Sequence, residues 1–475
     1  MGAPGSVSAL EVCLEQARSP EGPKELRFGT DGVRGVANSE LVPEDALRLG
    51  YAAARVFGGP VLIGRDTRLS GGMLSGALAA GAASGGAEVL DAGVLPTPGV
   101  AALAPRLECS VAAVISASHN PYPDNGIKFF SAEGRKLPSS VERKIEGLVA
   151  EAREPAVEVR PTGGGVGAVR LLEEAAERYV AGVLARLRPR AEGLKVQLDC
   201  ANGAAYRAAP LAFSELGAEV SVVGAEPDGT NINAGCGSTH IGELDGSGFD
   251  VSFAFDGDAD RVLALDERGE VVDGDKIIAI LARDMFERGV LAPAGAVVTV
   301  MTNLGFFKAL DSLEIPYEVT PVGDRYVAEA MRRDGASVGG EQSGHVILSD
   351  HVTTGDGLVT ALAVLEVMTR TGRPLSELAR VMDVYPQKLI NVRVASSTLA
   401  RSLSENGKVA GAVEKAEKRL GSEGRILLRP SGTEPLVRVM VEHAGADTCE
   451  EVCEAVAGVV EEVGSEGTER GTEEA

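Results

Sequence analysis

A chain of 475 residues is too long for one hydrophobic core and suggests about three or four domains at roughly 100–150 residues each. Its 46 basic against 69 acidic side chains leave a formal charge of −23, which argues against nucleic acid and anionic membrane as partners, so an anionic ligand must be held by local Arg and Lys clusters. Six scattered cysteines without a CxxC, no N-terminal signal pattern and no apolar run of the roughly 20 residues a bilayer requires point to a cytoplasmic protein with reduced thiols.

Apolar runs alternate with helix-compatible segments along most of the chain. PVLIGRD (60–66) reads as a buried strand, 71–85 as a helix, and AEVLDAG (87–93) and SVAAVIS (110–116) as further strands. KVQLDCANG (195–203) is a strand, 204–216 a helix, AEVSVVG (218–224) a strand, and FDVSFAFDGDADR (249–261) a strand entering an acidic loop. The layout returns in GAVVTVMTN (295–303), a helix at 304–313, PYEVTPVG (316–323), a helix at 324–333, and ASVGGEQSGH (336–345). After residue 384 the character changes. KLINVRV, GRILLRP and PLVRVMVEH read as strands, followed by a helix over about 447–464 and a frayed Glu- and Gly-rich end.

The expected fold is therefore α/β: three similar mixed or parallel α/β domains (1–167, 168–272 and 273–384) and a C-terminal α+β domain (385–475). PTGGGVGAV is a linker candidate, and a second boundary falls near DERGEVVDGDK. Each unit places its most polar loop after a strand, the end of an open α/β sheet where ligands bind.

Those loops carry the chemistry. VISASHNPYPDNGIKFF offers two hydroxyls, Ser116 and Ser118, and since i and i+2 face the same way along a strand, geometry does not choose between them. DGDADR sets Asp256, Asp258 and Asp260 at alternate positions, where an extended segment would point three carboxylates at one hard cation such as Mg²⁺ or Ca²⁺. An EF-hand is excluded: position six is Arg261 where that loop needs Gly, and the flanks read as strands.

RPSGTEPLVR gathers Arg429, Ser431, Gly432, Thr433 and Arg438 into a phosphate cradle with no Walker signature. GGEQSGH places Glu341, Ser343 and His345 where they suit sugar hydroxyls. FGTDGVRG adds Thr30 and Arg34, and GRDTRLSGG adds Arg65, Arg68 and Ser70, arginines of the kind an acidic chain needs beside an anionic ligand. Together the loops suit phosphoryl transfer to or from a phosphorylated sugar.

The motifs FGTDGVRG, ASHNP, DGDADR, GEQSGH and RPSGTEP, in this order and across nearly the whole chain, resemble the α-D-phosphohexomutase family, and NPYPDNGIKFFS, CGSTH, VGDRYV and TTGDG resemble its bacterial phosphoglucosamine mutase branch. The resemblance implies four domains around a central cleft and phosphoserine at Ser118, the serine directly before His-Asn-Pro. It implies one Mg²⁺ per active site, held by Asp256, Asp258, Asp260 and the group on Ser118, with glucosamine 1,6-bisphosphate or a related hexose bisphosphate as activator. Lys128, Arg261 and His345 become candidates for proton transfer or charge neutralisation. His119 and Asn120 would position the serine loop, and Thr30 and Arg34 would reach the phosphoserine or substrate. The implied reaction interconverts glucosamine 6-phosphate and glucosamine 1-phosphate, supplying the amino sugar of UDP-N-acetylglucosamine for the cell wall.

A phosphomannomutase or phosphoglucomutase is the alternative within the family, and a non-turning-over sugar-phosphate binder or a phosphatase the alternative outside it. A phosphosugar is the expected partner, and a homodimer is left open. About two dozen residues precede FGTDGVRG and the tail is acidic; neither touches a motif.

Overall fold

The computed structural model describes residues 26–29, 31–151, 160–431 and 435–473, with side chains as far as 465. They fall into two compact units, one running to Val262 and including His351–Ala361, the other comprising Leu263–Asp350 and the chain from Leu362 onward.

The first unit opens with a six-stranded sheet: β1 (Val33–Val36), β2 (Val61–Arg65), β3 (Val89–Val94), β4 (Val111–Ile115), β5 (Asp124–Ser131) and β6 (Val169–Leu171), in the order β1-β5-β4-β2-β3-β6. Strands β2, β3, β4 and β6 are parallel, while β5 runs antiparallel to β4 and β1 antiparallel to β5. VLIG and VAAVI are continuous apolar runs because parallel strands are covered on both faces, and both are buried here. The helices Pro43–Phe57 and Gly71–Ser84 cross closely against this sheet. A Cβ on Gly50 would sit 2.0 Å from the Leu78 carbonyl oxygen, and one on Gly81 1.9 Å from that of Leu47, so the crossing needs glycine on both helices.

The same unit holds β7 (Lys195–Asp199), β8 (Glu219–Val223) and β9 (Val251–Phe255), parallel in the order β8-β7-β9. β9 delivers the acidic loop. Next come β10 (Val262–Asp266) and β11 (Val271–Val272), an antiparallel hairpin with Leu265 opposite Val271. In its turn the Asp266 carboxylate accepts from the amides of Arg268 and Glu270, both at 2.9 Å.

The second unit contains β12 (Ala296–Thr299), β13 (Tyr317–Thr320), β14 (Val338–Gly340) and β15 (Val346–Leu348) in the order β13-β12-β14-β15. The first three are parallel, and β15 returns antiparallel to β14. GEQSGH is thus a hairpin turn between two strands, not a loop departing from the sheet. The C-terminal sheet is antiparallel, β16 (Gln387–Arg393), β17 (Gly424–Pro430) and β18 (Leu436–His443), in the order β16-β18-β17. Two helices, Ser397–Ser404 and Gly407–Leu420, connect β16 to β17.

Two features differ from expectation. β6 pairs with β3, so the first sheet runs through the glycine-rich stretch and past residue 167. The last helix, Ala446–Glu473, continues through the end expected to fray, with Cys449 and Cys453 buried on its inner face. No helix among the described residues is long and apolar enough to cross a membrane.

Candidate active site

β4 ends at Ile115, and the chain then leaves the strand geometry on which the equivalence of Ser116 and Ser118 rested. Ser118 has φ 53°, in the left-handed region that a residue with a Cβ rarely adopts. The two hydroxyls therefore part company. Ser116 Oγ donates to Asp66 Oδ2 at 2.6 Å and accepts from the Ser118 amide at 2.9 Å. Ser118 Oγ donates to Asp256 Oδ2 at 2.6 Å.

The unusual backbone is clamped by Arg68. Its Nη2 donates to the carbonyls of Ser118 and Asn120, each at 2.8 Å, its Nη1 donates to those of Asp124 and Pro121, and its Nε pairs with Asp66 Oδ2 at 2.8 Å. Asn233 Nδ2 adds a second donor to the Ser118 carbonyl at 2.9 Å. Arg68 is 2% exposed. It is committed to the serine loop and does not face an anionic ligand, contrary to the sequence expectation. Ser70 accepts from Asn125 Nδ2 at 2.9 Å.

The three aspartates converge, though not along an extended strand. β9 stops at Phe255, and the chain turns with Ala259 at φ 58° and its amide bonded to the Asp256 carbonyl at 3.0 Å. This curl brings one oxygen from each of Asp256, Asp258 and Asp260 within 4.8 Å of the others, all three residues buried. Burial, then the charges of Asp260 and Asp258, push the Asp256 carboxyl well above its ordinary range.

Lys128 from β5 lies 3.0 Å from Asp258 Oδ2, 3.0 Å from Asp31 Oδ2 and 3.8 Å from Asp260 Oδ2. Burial pulls its pKa down, but the carboxylates of Asp258, Asp31 and Asp260 outweigh this and hold it above the usual lysine value. Asp258 Oδ1 is buried with no hydrogen-bond partner among the described residues. An oxygen-only donor set with an orphaned acceptor fits a hard divalent cation.

Arg261 stands beside the loop, its amide donating to Asp256 Oδ1 at 3.1 Å and its Nε 3.8 Å from Asp260 Oδ1. His119 Nδ1 is 3.4 Å from Ser118 Oγ, and burial, followed by Arg261 and Arg34, lowers its pKa to about 4. Arg34 contacts Asn120 Oδ1 at 3.4 Å and pairs with Asp31. Thr30 lies outside the described residues.

In the second unit, Glu341 Oε1 accepts from the Gly323 amide at 3.0 Å, and the Gly344 amide closes the hairpin on the Glu341 carbonyl at 3.0 Å. Ser343 Oγ is buried without a hydrogen-bond partner among the described residues. His345 is buried with Nε2 3.9 Å from Asp324 Oδ2. Arg429 on β17 stands directly opposite Arg438 on β18. Burial and the Arg438 charge both lower the pKa of Arg429, and such a cross-strand like-charge pair is relieved by a bound anion. Ser431 follows, with its amide on the Leu436 carbonyl at 2.9 Å, while Gly432 and Thr433 lie outside the described residues.

Sequence reading passed over Asp31, Asp66, Thr97 and Asn233. Asp31 sits inside FGTDG and could have been found as the acid facing its arginine. Asp66 stands two residues before its partner Arg68 inside GRDTRLSGG and was legible in the same way, whereas Thr97 and Asn233 act across chain separations that no local pattern carries.

Models of the four phosphoglucomutase/phosphomannomutase domains match in order: α/β/α domain I at residues 25–156, α/β/α domain II at 177–269, α/β/α domain III at 273–385 and the C-terminal domain at 389–459. A phosphoglucosamine mutase of Rubrobacter xylanophilus is 68% identical over 444 residues, covering 94% of this chain and 99% of the relative. In solved structures, a phosphoglucomutase/phosphomannomutase family protein of Burkholderia thailandensis superposes with a TM-score of 0.76 at 24% identity, over 91% of this chain and 96% of the other. N-acetylphosphoglucosamine mutase of Aspergillus fumigatus, solved with GlcNAc-6P and magnesium, gives 0.69 at 18% identity, over 97% and 100%. With all four domain models matched in order and the relative aligned nearly end to end, the chain belongs to the phosphoglucomutase/phosphomannomutase family.

Proposed function

We propose that this enzyme is a phosphoglucosamine mutase, interconverting glucosamine 6-phosphate and glucosamine 1-phosphate through phosphoserine at Ser118. The observation that carries the reading is the Ser118 hydroxyl, held 2.6 Å from Asp256 at the edge of the buried aspartate cluster. The 68% identity to a phosphoglucosamine mutase supports the amino sugar over glucose or mannose.

In the forward direction, the 1-hydroxyl oxygen of glucosamine 6-phosphate attacks the phosphorus of phosphoserine 118. The P–O bond to Ser118 breaks, its electron pair stays on the Ser118 oxygen, and the proton leaving the sugar 1-hydroxyl passes to that oxygen. The resulting glucosamine 1,6-bisphosphate turns around, and the serine oxygen takes back the 6-phosphoryl group, giving its proton to the sugar 6-oxygen, which keeps the electron pair of the broken P–O bond in glucosamine 1-phosphate. Asp256, Asp258 and Asp260 would hold Mg²⁺, which, when bound, offsets charge on the phosphoryl oxygens. Lys128 keeps a positive charge beside the same oxygens and Arg261 flanks them. His119 and Asn120 keep the serine loop in shape, and Arg34 is assigned to the phosphate.

Glu341 and Ser343 are assigned to the sugar hydroxyls, His345 to charge or proton balance beside them, and Arg429, Ser431, Gly432, Thr433 and Arg438 to the phosphate that is not being transferred. A hexose 1,6-bisphosphate would load the serine of dephosphorylated enzyme. The product would feed UDP-N-acetylglucosamine for the cell wall.

The test is kcat/KM for glucosamine, glucose and mannose 1-phosphates in parallel, with Mg²⁺ and a trace of hexose 1,6-bisphosphate. A tenfold or greater preference for the amino sugar, about 1.4 kcal/mol in the transition state, is expected. Equal or better turnover of mannose or glucose phosphate moves the chain to the hexose branch. No isomerisation by enzyme carrying phosphoserine overturns the mutase itself.

A further inference from the structure

Asp258 has two carboxylate oxygens with very different surroundings. Oδ2 accepts from Thr97 Oγ1 at 2.6 Å and from Lys128 Nζ at 3.0 Å. Oδ1 is buried and accepts from no donor among the described residues. Thr97 also takes hold of the main chain of the same residue, its amide donating to the Asp258 carbonyl at 2.9 Å. It is the first residue of the helix Thr97–Arg106, follows Pro96 and precedes Pro98, and is 2% exposed, so it has little freedom to move away.

We propose that Thr97 is a positioning residue for the divalent cation: by binding Oδ2 and the backbone of Asp258 together, it turns Oδ1 toward the metal. The inference rests on the proposed metal role of the three aspartates. Two features make a neutral hydroxyl suited to this task. A second ammonium at Oδ2 would compete electrostatically with the cation, whereas Thr97 donates one hydrogen bond and adds no charge. Lys128 alone could hold Oδ2, but its ammonium is shared with Asp31 and Asp260 at 3.0 and 3.8 Å, so it does not fix the rotation of one carboxylate. Donors behind a ligating carboxylate commonly govern metal affinity by 10–100-fold.

The bland reading is that Thr97 is an ordinary buried helix-start hydroxyl satisfied by the nearest carboxylate. That reading predicts lost stability without any selective loss of metal binding. The experiment is a titration of full-length protein with Mn²⁺, followed by the electron paramagnetic resonance of free Mn²⁺, for wild type, Thr97→Val, Thr97→Ala and Thr97→Ser. Thermal unfolding of each metal-free protein is measured alongside.

About 10–100-fold weaker Mn²⁺ binding is expected for the Val and Ala variants, with Ser within a few-fold of wild type. In turnover assays the defect should be reversed by raising Mg²⁺, with the sugar-phosphate KM unchanged. Unaltered Mn²⁺ affinity in folded Thr97→Val or Thr97→Ala overturns the proposal. Should both fail to fold, Thr97→Ser decides, since its hydroxyl is kept: Mn²⁺ binding weakened as much as the loss of the donor should cause would overturn it. Wild-type protein that binds no Mn²⁺ would instead remove the metal assignment of the aspartates.

Discussion

Ser118 Oγ donates to Asp256 Oδ2 at 2.6 Å, while Ser116, two residues earlier, turns its hydroxyl to Asp66 instead. The left-handed Ser118 backbone separates them, so substitutions at the two positions should fail in different ways. Ser118→Ala should lose about three or more orders of magnitude in kcat, as removal of a covalent nucleophile does, and remain folded. Ser116→Ala leaves the buried Asp66 with one donor fewer and should cost about 1–3 kcal/mol in stability. Intact mass after incubation with a hexose 1,6-bisphosphate reads the difference: the Ser116 variant takes up one phosphoryl group and the Ser118 variant takes up none. Phosphate found on a folded Ser118→Ala protein would falsify the assignment.

Arg68 supports four carbonyl oxygens of the serine loop and one buried carboxylate, an arrangement only a planar fork can satisfy. A lysine in its place has the charge but cannot span these acceptors. Arg68→Lys should therefore lower kcat by about tenfold or more through a misplaced serine, with a smaller change in KM. Arg68→Met strands Asp66 without its counter-charge and should cost about 3–5 kcal/mol in urea unfolding. A lysine variant with wild-type kcat would show that the loop keeps its shape without the fork.

How much of this could be read from the sequence depended on distance along the chain. β2, β4, β7, β9 and β12 were legible because parallel strands buried on both faces are written as unbroken apolar runs. The two- and three-residue strands β11 and β15 carry too few residues for a period, and β1 and β5 are antiparallel additions whose polar residues read as loop. The helices Ser397–Ser404 and Gly407–Leu420 were missed although each buries an apolar stripe, Ala400 and Leu403 on the first and Val409, Ala416 and Leu420 on the second. Each motif in the site was visible because its own few residues carry the chemistry. The partners that hold those motifs in shape were not: Thr97 is 161 residues from Asp258, and Asn233 is 115 from Ser118. Nothing in a threonine between prolines announces a carboxylate that far away.

Glu442 on β18 is fully buried and joins the C-terminal sheet to the start of the helix Leu304–Ser312. It accepts from Arg425 Nε at 2.6 Å, the Leu304 amide at 2.9 Å and Asn303 Nδ2 at 3.3 Å, while Asn303 also grips Tyr385 N and O, each at 3.0 Å. Glu442→Ala removes the anion from three donors at once and should cost about 3–5 kcal/mol. Glu442→Gln keeps the shape and one acceptor and should cost less. Urea unfolding monitored by tyrosine fluorescence orders the variants, and equal midpoints for Ala and wild type would mean the network contributes nothing.

Asp275 opens the helix Gly274–Glu287 as a buried carboxylate, and burial, followed by the nearby charge of Asp273, raises its pKa to about 7 from 3.8. The folded protein thus binds this proton more tightly than the unfolded chain does. The stabilisation from that proton is present in full below about pH 3.8 and is lost as the pH rises through about 7. Asp275→Asn removes the titrating group while keeping an acceptor for the Asn303 amide, which donates to Asp275 Oδ2 at 2.8 Å. The variant should gain on wild type steadily between pH 5 and 7, by at most about 1.4 kcal/mol per pH unit, and the gain should flatten above pH 8. Unfolding free energies measured across that range give the slope directly. Parallel curves for the two proteins would place the pKa of Asp275 outside the window and show that its burial is matched by donors strong enough to keep it ionised.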